Sequence, residues 1–338
     1  MPGAGIHPVE LSGRNADSLF VVTRVIDLET TSESLIAFPF DLCIDGGDIF
    51  VASRNNEIKV FNMTGKYVRS IGRLGDGPGE YRTISALFPH GSSEIGVYDW
   101  SNFRLTLFSR EGAYRMSAVL GMPGMEGVRS VLFIDGSYYI HVPSSPAQNY
   151  HIVRMDSNLA LTGGYLEADK HYAGYQDRLL FNGGIVHDRR TGCIYEADSY
   201  SYGIRCLDPV TSTVRQLAFE PPSFYVTMPP LTAPTSMDEA LSLFQRGTNV
   251  YNIFMAAGRH LILEYHQTVS RGRVKVIYLF YDLKSGGCFT VPAGEIHPSY
   301  ADGEHLYALM YHEKNSKQPG DMGSNPSLIV YDLAIEGI

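Results

Sequence analysis

The sequence is short of several things, and each shortage removes a class of protein. Cysteine occurs only four times in 338 residues, at Cys43, Cys193, Cys206 and Cys288, with no CxxC pair. That excludes a zinc ribbon and a thioredoxin-type redox motif. The favoured reading is four small buried apolar residues. The sharper alternative is a Cys193–Cys206 bridge, since the two fall on strands expected to pair. No apolar run approaches the ~20 residues of a membrane-spanning helix. The opening, MPGAGIHPVELSG, has neither a basic n-region nor an apolar h-region, so it does not read as a signal peptide. Positive charge is scarce: 27 Lys and Arg stand against 36 Asp and Glu, a net charge of −9. An acidic surface repels phosphate backbones, which disfavours broad nucleic-acid binding. The G-x-S-x-G nucleophile elbow and the HExxH zinc motif are both missing.

What is present is repetition. The chain exceeds the roughly 250–300 residues at which a single core stops growing, so it holds two domains or a repeat-built body. Its 22 Tyr and 16 Phe favour pleated, half-buried surfaces. An aromatic or apolar residue followed by a polar one closes a strand at Phe61, Phe108, Met155, Leu207, Tyr281 and Tyr331, at spacings of 47, 47, 52, 74 and 50 residues. Each mark is preceded by a strand, a tight turn and another strand, as in DLCIDGGDIFVAS and VLFIDGSYYIHV. Asp-Gly between apolar runs is a strong hairpin signal. Each unit therefore supplies four antiparallel strands, a to d, in about 45–50 residues, which is the period of a propeller blade.

Six units follow: 35–72, 82–120, 128–166, 178–219, 248–292 and 298–335. The last stops after its strand c, whereas SLFVVTRVIDLE (18–29) is a strand without a blade. We therefore expect an all-β, six-bladed β-propeller over 18–338, closed by that N-terminal strand, with 1–17 as a tail. Closure removes exposed strand edges. The 74-residue interval marks an insertion at 221–247. There Ser236 and Glu239 form a capping box ahead of a short helix, as a lid or as a plug.

Residues 71–81 read IGRLGDGPGEY. A phosphate loop needs GxxxxGK[ST] or GxGxxG opening a helix. Here RTISALFPHG follows, a strand and a turn, so the glycines serve a crossing from one blade's outer strand to the next blade's inner strand.

The stretch VYDWSNFRLTLFSREGAY, beginning at Val97, closely resembles the NHL repeat, with Asp99, Asn102, Arg104, Phe108 and Gly112 at matching positions. Blade one matches more loosely, through Ser53, Asn56, Lys59 or Ile58, Phe61 and Gly65. The GxLGxGPGEY run is similar to the inter-blade connector of six-bladed propellers of Bacteroidota. That resemblance implies a secreted or lipid-anchored protein of the periplasm or cell surface.

Candidate site residues come from two sets. Strand b ends at Ser53, Asp99, His141, Asp198, His266 and His312. Three histidines in equivalent places invite a metal reading, yet ligands lie only about 2 Å from an ion, too close for residues on separate blades. Arg73, Glu80, Arg82, Arg129 and Arg178 lie in or just after connectors, where converging arginines suit a carboxylate or sulfate. The competing reading is inter-blade ion pairs. Loops on the connector face are elaborated, and such loops are where binding resides.

The expected function is a non-enzymatic ligand- or partner-binding propeller, recognising an anionic glycan or a protein on that face, without a cofactor. The alternative is a metal-dependent hydrolase or lyase, since six-bladed relatives include lactonases and amidating lyases that hold Ca²⁺ or Zn²⁺. Asp41, Asn182, His187 and Asn252 are its inner-strand candidates. RNA binding, known in some NHL proteins, is disfavoured by charge.

Overall fold

In a computed structural model of the chain, the described residues are 6–122, 125–128, 130–142, 149–175, 183–232, 236–270, 273–311 and 324–335. They form six antiparallel four-stranded sheets arranged as the blades of a propeller. In blade one the strands are Pro39–Asp45, Asp48–Ser53, Glu57–Asn62 and Tyr67–Ile71, in spatial order a-b-c-d. The other blades repeat that order.

The sixth blade is assembled from both ends of the sequence. Tyr300–Ala301, Leu306–Met310 and Ser327–Leu333 supply strands a to c, and Phe20–Asp27 supplies strand d. Val25 pairs with Ile329 and Ile26 with Leu328. This is the closure read from the orphan strand. The segment before it is more than a tail. Val9–Glu10 adds a parallel strand to the outer edge of blade five, and Ala16 and Leu19 are buried. Asp17 accepts from the backbone N–H groups of Glu295 and Ile296, so the entry to blade six is fixed by the same segment.

The core lies between blades, because each sheet can bury its faces only against its neighbours. Five interfaces hold large apolar clusters; between blades one and two, for example, Phe50, Val60, Tyr81, Val97 and Phe108 interdigitate. The interface of blades three and four has the smallest apolar cluster among the described residues: Tyr139, Ile152, Leu166, Ile185, Ile194 and Leu207. A polar group fills part of that interface.

The glycine connector is a latch. Arg73–Leu74 pairs in parallel with Glu80–Tyr81, and the Tyr81 hydroxyl donates to Ile71 O at 2.5 Å. Gly72 has φ +65°, and a Cβ there would lie 2.3 Å from the buried Tyr81 ring. The NHL-like residues secure this latch. Asp99 accepts from the backbone of Arg82 and Thr83, Asn102 donates to both Asp99 and Asp76, and Arg104 donates to the carbonyls of Asp76 and Gly77. The glycines thus serve a crossing between blades.

The insertion carries the expected helix, Met237–Phe244, with the Ser236 side chain accepting from Glu239 N. Met228 and Ala240 are fully buried. Met228 packs on Tyr200 together with Tyr172, Leu243 and Phe244, which anchors the insertion over blade four. Cys193 and Cys206 are neighbours, but all four cysteines are free thiols.

Two glycine substitutions separate strain from clash. Gly91 has φ +62° with nothing within 4 Å of a built Cβ. Gly91→Ala should therefore cost about 1 kcal/mol of unfolding free energy from left-handed strain alone. Gly72→Ala should cost about 2–4 kcal/mol, because it adds overpacking against Tyr81. Denaturant melts of the two variants check the difference.

Candidate functional site

The inner strands enclose a central channel of about 800 Å³. Each strand a runs from the connector face to the opposite, turn face, so the channel has a mouth on each.

The connector-face mouth is built by blade five. Its strand a, Thr248–Ala256, carries a bulge: Val250 pairs with Tyr265 and Asn252 with Glu264, leaving Tyr251 as the extra residue. Bulges re-aim side chains. Tyr251 stacks on His266, centroids 4.2 Å apart and planes 3° from parallel. His266 Nε2 lies 2.7 Å from Glu264 Oε1, and Asn252 Nδ2 donates to Glu264 Oε2 at 2.9 Å. Glu264 is 4% exposed, so its carboxylate is shielded and held by these two partners. His266 remains partly exposed and lines the channel with Glu264, Tyr251, Asn252 and Arg54. The insertion braces this corner: Thr248 N donates to Val226 O, and Gln267 Nε2 to Phe224 O.

The turn-face mouth is lined by His187, Arg189 and Asp302. Burial, reinforced by Arg189, pushes the His187 imidazole below its usual range. Burial raises the Asp302 carboxyl, but the backbone N–H of His305 and the Tyr307 hydroxyl outweigh it, leaving the group below its ordinary value.

The connector face also gathers exposed apolar side chains. Phe38, Leu74, Trp100, Phe103 and Tyr311 stand there at 76, 63, 43, 39 and 53% exposure. Among the described residues, none of the a–b turns on the opposite face carries an exposed large hydrophobic residue.

The structure distributes the expected site residues widely. Arg73 donates to Glu80 at 2.7 Å, and Arg82 pairs with Asp76, so the first connector's charges are matched locally. None of the three expected residues of that connector (Arg73, Glu80, Arg82) lines the channel. Arg129, Arg178 and His312 lie outside the described residues, as does Asn182. Asp41 accepts from the backbone of Leu42 and Leu87, Asn252 is held by Glu264, and His187 lies at the far mouth. Among the described residues, no three His, Cys, Asp or Glu side chains of the channel come within ligand distance of one another.

His141 is separate from His266 and is buried between blades three and four. There it meets His151, Glu196, Asp198 and Arg205, of which sequence reasoning singled out only Asp198. The available signal was IYEAD, a glutamate flanked by apolar residues inside a central strand. Glu264 in LILEYH carries the same signal.

A family profile described as a domain of unknown function (DUF4934) matches residues 10–206, well over half of the chain. The chain belongs to the DUF4934 family. This DUF4934 protein is similar to a candidate exported protein from Bacteroides fragilis, at 14% identity over 97% of this chain and 99% of that one, with a TM-score of 0.70. It is also similar to a DUF4221 member from Bacteroides vulgatus, at 11% identity over 93% and 97% of the two chains, TM-score 0.62. A third likeness is to a catalytically inactive variant of virginiamycin B lyase from Staphylococcus aureus with quinupristin, at 12% identity over 92% and 99%, TM-score 0.50. Identities this low speak for the fold alone. No curated protein matches the DUF4934 sequence. No helix among the described residues is long and apolar enough to cross a membrane.

The connector latch has a pH signature. Hydrogen bonds from Arg82 and then Asn102 hold the Asp76 carboxyl down at about 2. A depressed carboxyl contributes stability above its unfolded value of about 3.9, and the contribution is lost as pH falls through the folded value. That loss therefore falls between about pH 4 and pH 2. In Arg82→Ala the Asp76 carboxyl should move back towards its ordinary value, which carboxyl-carbon NMR titration would read.

Proposed function

We propose that this protein is a binding propeller that takes a glycan at the connector-face mouth of its channel. The observation that carries the reading is that two features share this face. A fixed polar set, Asn252, Glu264 and His266, lies in the channel, and exposed aromatics, Phe38, Trp100, Phe103 and Tyr311, stand in loops on the same side of the ring. Ligand sites combine apolar and aromatic surface with a few polar groups fixed in advance. A sugar ring suits this chemistry: its hydroxyls bond to amide, carboxylate and imidazole, and its C–H faces lie on aromatic rings. Arg73 and Arg82 belong to the same reading. Their side chains are 80% and 56% exposed, so each keeps N–H donors for the acidic groups of an anionic glycan. The exported-type neighbour supports a place outside the cytoplasm, in the periplasm or at the cell surface.

A second reading, lyase or hydrolase chemistry in the channel, draws on the Glu264–His266 pair. An imidazole whose Nε2–H is held by a buried carboxylate presents Nδ1 as a proton acceptor, the arrangement of an oriented general base.

A panel of neutral and acidic oligosaccharides, read by isothermal titration calorimetry, tests the first reading. His266→Ala and Trp100→Ala should each weaken the best binder at least about tenfold, or 1.4 kcal/mol, and the exposed Trp100→Ala change should do so with unchanged melting temperature. Unchanged affinity in both variants would remove the glycan site from this mouth. Turnover of the bound sugar or of a lactone, lost in Glu264→Gln, would favour the second reading.

A further inference from the structure

The interface between blades three and four holds a group of side chains that the channel reading does not use. His141 ends strand b of blade three, Ser137–His141, and His151 is the second residue of strand c, Tyr150–Asp156. Glu196 and Asp198 face them from strand b of blade four, Ile194–Asp198. All four are 5% exposed or less. His141 Nε2 lies 3.7 Å from Glu196 Oε1. His151 Nδ1 lies 3.7 Å from that oxygen and 3.7 Å from Asp198 Oδ1. The ligand atoms of His141, His151 and Glu196 all fall within 4.8 Å of one another.

These separations are too long for hydrogen bonds. They are close to the spacing of donors around one ion. With Zn–N and Zn–O bonds of about 2.0–2.2 Å, the edges of a tetrahedron measure roughly 3.3–3.6 Å. A contraction of one or two tenths of an ångström brings the nearest donors to that spacing. The donor types agree, since imidazole with carboxylate oxygen is a set for first-row divalent ions.

The outer groups agree as well. Arg205 donates to both oxygens of Glu196, Nε to Oε2 at 2.8 Å and Nη2 to Oε1 at 2.6 Å. Burial opposes ionisation of Glu196, but the guanidinium outweighs it and holds the carboxyl well below its usual range. Burial also holds the His151 imidazole below its ordinary value. Ligating carboxylates are characteristically fixed by such outer hydrogen bonds.

We propose that His141, His151 and Glu196, with Asp198 beside them, form a closed structural site for one divalent cation of the zinc type, clamping blade three to blade four. The site lies off the channel, and none of its residues lines that cavity. It therefore acts on the packing of the ring and takes no part in ligand binding at the mouth. It occupies the interface with the smallest apolar cluster, where a metal tie contributes most.

The test uses the full chain, stripped with a strong chelator and titrated with zinc and then cobalt(II). We expect about one zinc per chain by elemental mass spectrometry, and a melting temperature raised by roughly 3–6 °C at saturation. Cobalt(II) should give visible absorption bands of a four-coordinate nitrogen–oxygen site. His141→Ala and Asp198→Asn should each lose affinity, His141→Ala by at least about 100-fold. The cobalt spectrum is read on the unaltered chain, so it decides the matter even if a variant fails to fold. A stripped chain that takes up no zinc and melts unchanged would overturn the proposal and assign the gap to a bridging water. Zinc held equally well by a folded His141→Ala/His151→Ala double variant would overturn it too, as adventitious binding at surface histidines.

Discussion

The structure rests on one constraint: a blade cannot bury its own faces. The four-stranded sheets carry apolar side chains on both faces, and the partners of each are the next blade and the last. Stability is therefore a property of the closed ring, and the pairing of Phe20–Asp27 with Ser327–Leu333 is its keystone. Without it, blade six would show an open edge and lose the outer strand whose Ile26 packs in the interface with blade one. The connectors serve the same end locally. The Tyr81 latch fills the space between blades one and two with an aromatic ring, and the residues that resemble an NHL motif turn out to hold that latch.

A rigid ring frees its loops from structural duty, which explains why the chemistry gathers on one face. The turn face is closed by tight hairpins with little room for variation. The connector face carries crossings, the helical insertion and the longer loops, and it shows solvent the aromatics that the core does not need. Blade five departs most from regularity: its strands b and c are the longest among the described residues, and its strand a is bulged. These departures bring Tyr251, Asn252, Glu264 and His266 together at the channel wall.

The ring was legible in the sequence because its signals are periodic. Apolar strands, Asp-Gly turns and the orphan strand each recur or fail to recur at a countable interval. Even the helix was marked, by Ser236 and Glu239. The sites were less legible. His266 could be picked as a strand end, but its partner Tyr251 depends on a bulge, and one extra residue leaves no mark in an alternation already broken by asparagines. His141 could be picked too, but not its neighbours, because the approach of Glu196 and Arg205 is set by the packing of one blade on the next. The connector arginines were visible as charges; their carboxylates, Asp76 and Glu80, were equally visible, and only geometry shows that they pair.

The N-terminal segment has a consequence for how the ring forms. Thr23 bonds to Val330 across 307 positions, so the last sheet requires a contact between distant parts of the polymer. Such contacts are slow, because the entropy of bringing the ends together is lost before any pairing rewards it. Val9–Glu10 shares that cost, since its own partners on blade five are nearly as distant in the sequence. Once either contact is made the other is nearby, because only about ten residues separate the two strands, so a single loss of chain entropy serves both the parallel ribbon and the closing strand.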